Sequence, residues 1–199
     1  EMGLGKTIMA LGLCLSNPAP TPLPSLGANG SRVASKGTLD VCAVSLVGQW
    51  IEEAQSKLNM PGMRVYGYHG QGRNRNPAFL AAQDIVVTTY SILSSDSGYW
   101  AKQHAKSNPN LAYTAPLDSI QWHRIILDES HSIKQHNSGQ TRAVLKLNAT
   151  NKWCMSGTPF CTTPKDIIPQ LEFVGLNCIV RAQQFNGHGA RRRPVYDFA

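Results

Sequence analysis

Gly3, Gly5, Lys6 and Thr7 stand in the order that a phosphate-binding loop requires, with Leu4 between the glycines. Glycines let backbone N–H groups close around phosphate oxygens, the lysine reaches the β and γ oxygens, and the threonine hydroxyl serves Mg²⁺. The loop's first position would precede Glu1. A second constellation, Asp128 and Glu129, ends the run from Arg124 to Leu127. Phosphoryl transfer with a divalent metal needs a carboxylate near the metal and a second group that positions or deprotonates the attacking water. Asp128 suits the first role and Glu129 the second. Each motif alone has an ordinary explanation, a chance loop at a helix start or a polar strand exit. Both in this order predict a site for ATP and Mg²⁺, with Lys6, Asp128 and Glu129 catalytic and Thr7 and Asp128 facing the metal.

These residues need a frame. Ile8 to Ser16 has the apolar spacing of a helix burying one face. Asn17 to Lys36 turns to Pro, Ser, Gly and Ala, too poor in large apolar residues for a core of its own, so about 17–37 reads as a flexible insertion. Thr38 to Val44 is a buried strand, and Leu46 to Leu58 switches to helical period. Met63 to Tyr68 alternates like a strand, Gly70 to Asn76 is a basic loop with Arg73 and Arg75, and Asp84 to Thr89 is another buried strand. Residues 94–116 lack a pattern and read as a second insertion. Ser138 caps a helix reaching Leu147, and Lys152 to Met155 is a last strand before Ser156-Gly157-Thr158-Pro159. Strands alternating with helices predict a mostly parallel α/β sheet covered by helices on both faces. Ligands of such sheets bind at the carboxyl ends of the strands, where these motifs fall.

The chain has 199 residues and a formal net charge of +7, which draws it towards polyanions. Part of the excess lies between Arg181 and Ala199, where Arg191, Arg192 and Arg193 are adjacent; a solvated tail and a nucleic-acid contact both fit. No run of 18 apolar residues is long enough to span a bilayer. The five cysteines are scattered with no C-x-x-C pair, and His131 and His136 lack the i, i+4 spacing of a helical zinc pair. Reduced, buried thiols are the simplest reading.

Glu1 to Ile8, Val44-Ser45-Leu46-Val47-Gly48-Gln49-Trp50, Val87-Thr88-Thr89-Tyr90, the stretch Trp122 to Lys134 around Asp128-Glu129-Ser130-His131, and Ser156-Gly157-Thr158-Pro159 together resemble the Swi/Snf family of helicase-like ATPases within helicase superfamily two. The Trp-x-Arg-Ile-Ile-Leu lead-in and the long insertion after the first helix are most like its helicase-like transcription factor branch. The resemblance implies an N-terminal RecA-like P-loop lobe over residues 1–178, truncated at both ends, followed by a basic tail over 179–199. It implies a DNA-stimulated ATPase that translocates on double-stranded DNA in the nucleus, in chromatin remodelling or DNA repair, with nucleosomes and a second RecA-like lobe as partners. Ser156 and Thr158 would couple hydrolysis to lobe movement, and Ser45, Thr88, Thr89 and Tyr90 would contact DNA.

The sequence departs from the family in three places. Ser130 stands where Ala is usual, Phe160-Cys161-Thr162-Thr163 replaces a Gln-Asn continuation, and Pro169 falls where a helix is expected, at a cost of roughly 3 kcal/mol unless the helix restarts there. Trp50 fits either the core or a base-stacking platform; Ser45 either a helix cap or a phosphate contact; Thr88, Thr89 and Tyr90 either a turn cap or DNA. A hydrolysis-deficient motor fragment that serves as a DNA- or protein-binding module is the alternative. A small kinase or GTPase is a third possibility, and the absence of an Asn-Lys-x-Asp signature weighs against the GTPase.

Overall fold

The structure, a computed structural model, describes residues 5–23, 32–58, 62–106, 114–159 and 163–176. Gly3, Leu4, the Phe160-Cys161-Thr162 departure and the basic 179–199 segment lie outside them.

Six strands form one sheet in which every pairing is parallel. Its centre runs β3 (Val65–Gly67), β4 (Ile85–Thr89), β2 (Thr38–Cys42), β5 (Ile120–Asp128), β6 (Asn148–Met155). The short β1 (Val33–Ala34) pairs with the first residues of β5, Ile120 and Gln121. Alternation along each strand sends successive side chains to opposite faces. Leu39 and Val41 of β2 thus join Val86, Ile125 and Leu127 in one core, while Cys42 joins Ile85, Val87 and Ile126 in the other.

Helices cover both faces. On the Cys42 side lie α1 (Lys6–Ser16) through Ala10 and Leu11, and α2 (Val47–Leu58) through Val47, Trp50, Ala54 and Leu58. On the other side lie α3 (Pro77–Ala81), α4 (Tyr90–Lys106), α5 (Gly139–Leu145) and α6 (Ile168–Phe173), anchored by Leu80, Leu93, Val144 and Phe173. Burying each such side chain is worth roughly 1.5–3 kcal/mol, which makes these contacts the main cohesion of the fold.

Several expectations need correction. The 17–37 segment is not all insertion, because Val33 and Ala34 pair with β5. The pattern-free 94–116 segment is helical as far as Lys106, since Tyr90, Leu93 and Asp96 bury one side of α4. A polar residue in that stripe hides its period. Strand β5 begins four residues before Arg124, carrying buried Trp122 and His123 with it. Pro169 causes no break: it occupies the first turn of α6, where no intrahelical N–H is needed. The helix restarts after a 3₁₀ turn at Pro164–Ile167.

Two local features constrain the frame. A Cβ at Gly37 would lie 2.4 Å from the carbonyl oxygen of Gln83, so only glycine lets β2 start against the turn before β4. Asp40, at the middle of β2 and only 1% exposed, has no hydrogen-bond partner on either carboxylate oxygen. Burial, and then the charge of Asp128, push its pKa well above the ordinary range.

Candidate nucleotide site and coupling turn

Asp128 is the last residue of β5 and lies in register with Met155, the last residue of β6. The acidic pair and the Ser156–Pro159 turn therefore leave the sheet side by side. Asp128 is 4% exposed, and its two oxygens are oriented by neutral donors: Trp50 Nε1 at 3.1 Å on Oδ2 and the Glu129 backbone N–H at 3.0 Å on Oδ1. Trp50 is thus a core residue with a polar task. We expect Trp50→Phe to keep the packing of α2 and lose about 1.5–3 kcal/mol, the worth of a hydrogen bond to a charged group, in a denaturant titration.

The Asp128 backbone is fixed from another side. Tyr90, buried at the start of α4, donates its hydroxyl to the Asp128 carbonyl at 2.7 Å. Burial, first among several causes, raises the Tyr90 pKa well above its ordinary value, so the phenol stays neutral and remains a donor.

Glu129 adopts left-handed backbone angles, φ 46 and ψ 53, and is the one non-glycine residue with positive φ among those described. Such a conformation costs roughly 1–2 kcal/mol. Its carboxylate has two partners. Oε1 pairs with Lys6 Nζ at 2.5 Å, and Oε2 lies 3.3 Å from His131 Nδ1. The same imidazole nitrogen is 3.0 Å from Ser156 Oγ, which in turn accepts the Thr158 backbone N–H at 3.1 Å. Close polar contacts therefore link Lys6, Glu129, His131, Ser156 and Thr158, with the single nitrogen His131 Nδ1 shared between Glu129 and Ser156. His131 was not among the expected site residues, although its place in the Asp-Glu-x-His box could have signalled it.

Lys6 opens α1 directly after Gly5, whose φ of 72 is the left-handed cap that glycine adopts without strain. No acidic residue occupies the first turn of this 11-residue helix. The partial positive charge of its N-terminus favours an anion there, with Thr7 beside Lys6.

A second link behind the box was also missed. Ser130 Oγ donates to Gln170 Oε1 at 2.8 Å, and Gln170 Nε2 donates to the Pro159 carbonyl at 3.2 Å. The serine that replaces the usual alanine thus ties α6 and the end of the Ser156–Pro159 turn to the residue after Glu129.

The four expected DNA-facing residues separate. Ser45 is exposed in the 3₁₀ turn Val44–Leu46 ahead of α2, where Ala43 holds the cap position. Thr88, Thr89 and Tyr90 are buried and engaged by the fold. Thr88 Oγ1 donates to the Tyr68 carbonyl at 3.0 Å, Thr89 Oγ1 accepts the Ile92 N–H at 3.2 Å, and Tyr90 holds Asp128. Their hydroxyls are engaged by partners within the fold. Ser45 is thus the exposed member of the four, and the other three support the strand ends.

The SNF2-related domain family matches residues 1–192. Helicase-like transcription factor of Oryctolagus cuniculus is 36% identical over 178 residues, covering 85% of this chain and 16% of that protein. DNA repair protein RAD5A of Arabidopsis thaliana is 29% identical over 208 residues, covering 87% of this chain and 19% of that protein. The chain thus spans less than a fifth of either relative's length. Among solved structures, the Sulfolobus solfataricus SWI2/SNF2 ATPase core in complex with dsDNA superposes with a TM-score of 0.63 at 22% identity, over 94% of this chain and 32% of that one. That likeness carries the RecA-like fold. With the match along nearly all of its length, the chain belongs to the SNF2-related family.

Proposed function

We propose that this chain is the ATP-binding lobe of a DNA-stimulated ATPase that translocates on double-stranded DNA, in chromatin remodelling or DNA repair in the nucleus. The observation that carries the reading is the set of close polar contacts from Lys6 through Glu129 and His131 to Ser156. It joins a phosphate-binding lysine to a turn outside the nucleotide site, which is what a motor needs and a simple nucleotide-binding protein does not.

Lys6, Thr7 and the backbone of residues 3–7 would hold the phosphates of ATP. Thr7 and Asp128 would hold Mg²⁺; Asp128 suits this because neutral N–H groups orient it and no basic side chain pairs with it among the described residues. When bound, the metal neutralises charge on the phosphates during transfer. Glu129 would orient the attacking water and take its proton. In the structure Glu129 is occupied by Lys6, so ATP that draws Lys6 to its phosphates also frees the carboxylate for that task. His131 keeps Glu129 in touch with Ser156 and Thr158, the residues placed to report nucleotide state to a second RecA-like lobe. Ser45 is the exposed candidate for a DNA strand, with nucleosomes as the larger partner.

The isolated chain is expected to bind Mg·ATP and turn it over little, because the second lobe contributes to the transition state. In the full-length parent, duplex DNA should raise ATP turnover and Glu129→Gln should lower it by about 100-fold or more. Robust hydrolysis by the isolated chain would contradict the two-lobe reading. Full-length protein that binds DNA with no hydrolysis would favour a binding module, the reading that the Phe160-Cys161-Thr162 departure supports.

A further inference from the structure

Helix α1 carries Lys6 and Thr7 at its front, yet little grips its sides. Only Ala10 and Leu11 are buried, while Ile8, Met9 and Leu15 are exposed. Along its length Cys14 Sγ donates at 3.5 Å to Thr38 Oγ1, and the charged grips are at its two ends. At the front, Lys6 meets Glu129. At the rear, the Asn17 carbonyl accepts from Arg124 Nη2 at 2.5 Å and lies 3.2 Å from His123 Nε2.

Arg124 is an unusual occupant of a core strand. It is 1% exposed, its Nη1 donates to Thr38 Oγ1 at 3.0 Å, and its Nε has no partner. No carboxylate pairs with it among the described residues. A buried ion without a counter-ion costs several kcal/mol, and an apolar side chain would serve the core better. What Arg124 faces instead is the negative end of the α1 dipole, where a cation is favoured.

Both grips belong to one stretch of chain. Arg124 lies on β5 and Glu129 just beyond its end. Five residues of strand cover about 16 Å, and an 11-residue helix is also about 16 Å long. The strand thus acts as a ruler laid antiparallel to α1, holding it at both ends.

We propose that Arg124 is a positioning residue for nucleotide. Once phosphate takes Lys6 from Glu129, the front grip is lost, and the Arg124–Asn17 bond, with His123 on the same carbonyl, is what keeps Lys6 and Thr7 at their working distance from Asp128. The inference rests on the reading of residues 3–7 as the phosphate loop.

The test titrates a fluorescent ATP analogue, mant-ATP with Mg²⁺, against the purified chain, at a temperature where circular dichroism shows every variant fully folded. Arg124→Met should weaken binding about tenfold, Thr38→Val, which removes an acceptor of both Arg124 and Cys14, about threefold, and Cys14→Ala, which removes the Cys14 bond alone, by less than Thr38→Val. Leu80→Ala, a core substitution on the opposite face, should lower the melting temperature and keep wild-type affinity. Folded Arg124→Met with wild-type affinity overturns the proposal, as does a loss in Leu80→Ala equal to that in Arg124→Met. Should Arg124→Met not fold, an unchanged Thr38→Val overturns it by itself. Failure of the loop reading is distinct: wild type and Lys6→Ala would then bind the analogue alike.

Discussion

Asp96→Ala is expected to lose about 3–5 kcal/mol of folding stability, the largest single effect at a site remote from the nucleotide. Asp96 accepts from Tyr68 Oη at 2.6 Å and pairs with Arg73 through its other oxygen, and Arg73 also lies 5.3 Å from the centre of the Tyr68 ring. The side chains of Arg73 and Asp96 are 10% and 8% exposed. Removing the acid leaves a half-buried guanidinium with the Gly70 carbonyl as its remaining acceptor, and the loop after β3 loses its tie to α4. In a chain of this length the loss corresponds to about 6–20 °C in melting temperature. The double variant Arg73→Met, Asp96→Leu should be more stable than Asp96→Ala, because apolar replacement of both partners removes the stranded charge. A double variant less stable than Asp96→Ala would mean that the pair stabilises the fold directly.

Asp40→Asn is expected to act in the other direction, stabilising the chain near pH 7 by about 1–3 kcal/mol. Burial holds the Asp40 pKa in the folded chain well above its unfolded value. The folded state therefore keeps a proton that the unfolded state releases, and stability falls as pH rises from about 4, the unfolded pKa, towards the folded one. Below pH 4 both states are protonated and the penalty vanishes. The gain from Asp40→Asn should accordingly be small at pH 4 and grow with pH in parallel denaturant titrations. A gain that shrinks with rising pH would mean that Asp40 has an ionic partner.

Both predictions concern features that periodicity conceals. The α/β order, the parallel sheet and the placement of Asp128 at a strand end follow from apolar runs ending in polar motifs, and those were legible. Asp96 interrupts the buried stripe of α4, so residues 94–116 look structureless until Tyr68 and Arg73 are brought beside it by β3 and its loop. His123 and Arg124 likewise mask the first half of β5, because a buried arginine is tolerated only where a distant helix end receives it. Helix α3 carried local signals, an Asn76 cap and Pro77 in its first turn, but is too short for its period to show.

The site divides in the same way. Lys6, Thr7, Asp128 and Glu129 could be chosen by residue type and order, because phosphate and metal chemistry allows few substitutes. The supporting roles of Trp50, Tyr90 and Gln170 arise from contacts spanning 78, 38 and 40 residues of sequence, which no local pattern encodes. For Thr88 and Thr89, position at the end of β4 suggested DNA, and only the folded chain shows their hydroxyls bonded to the Tyr68 carbonyl and the Ile92 N–H.

Lys6, read as the phosphate ligand, is the residue for which phosphate and Glu129 compete. Calorimetric titration of Mg·ATP into the purified chain tests both halves. Lys6→Ala should bind at least about tenfold more weakly than wild type, and Glu129→Gln, which gives up the ion pair competing with phosphate, should bind more tightly. Wild-type affinity in Lys6→Ala, or weaker binding in Glu129→Gln, would contradict the account.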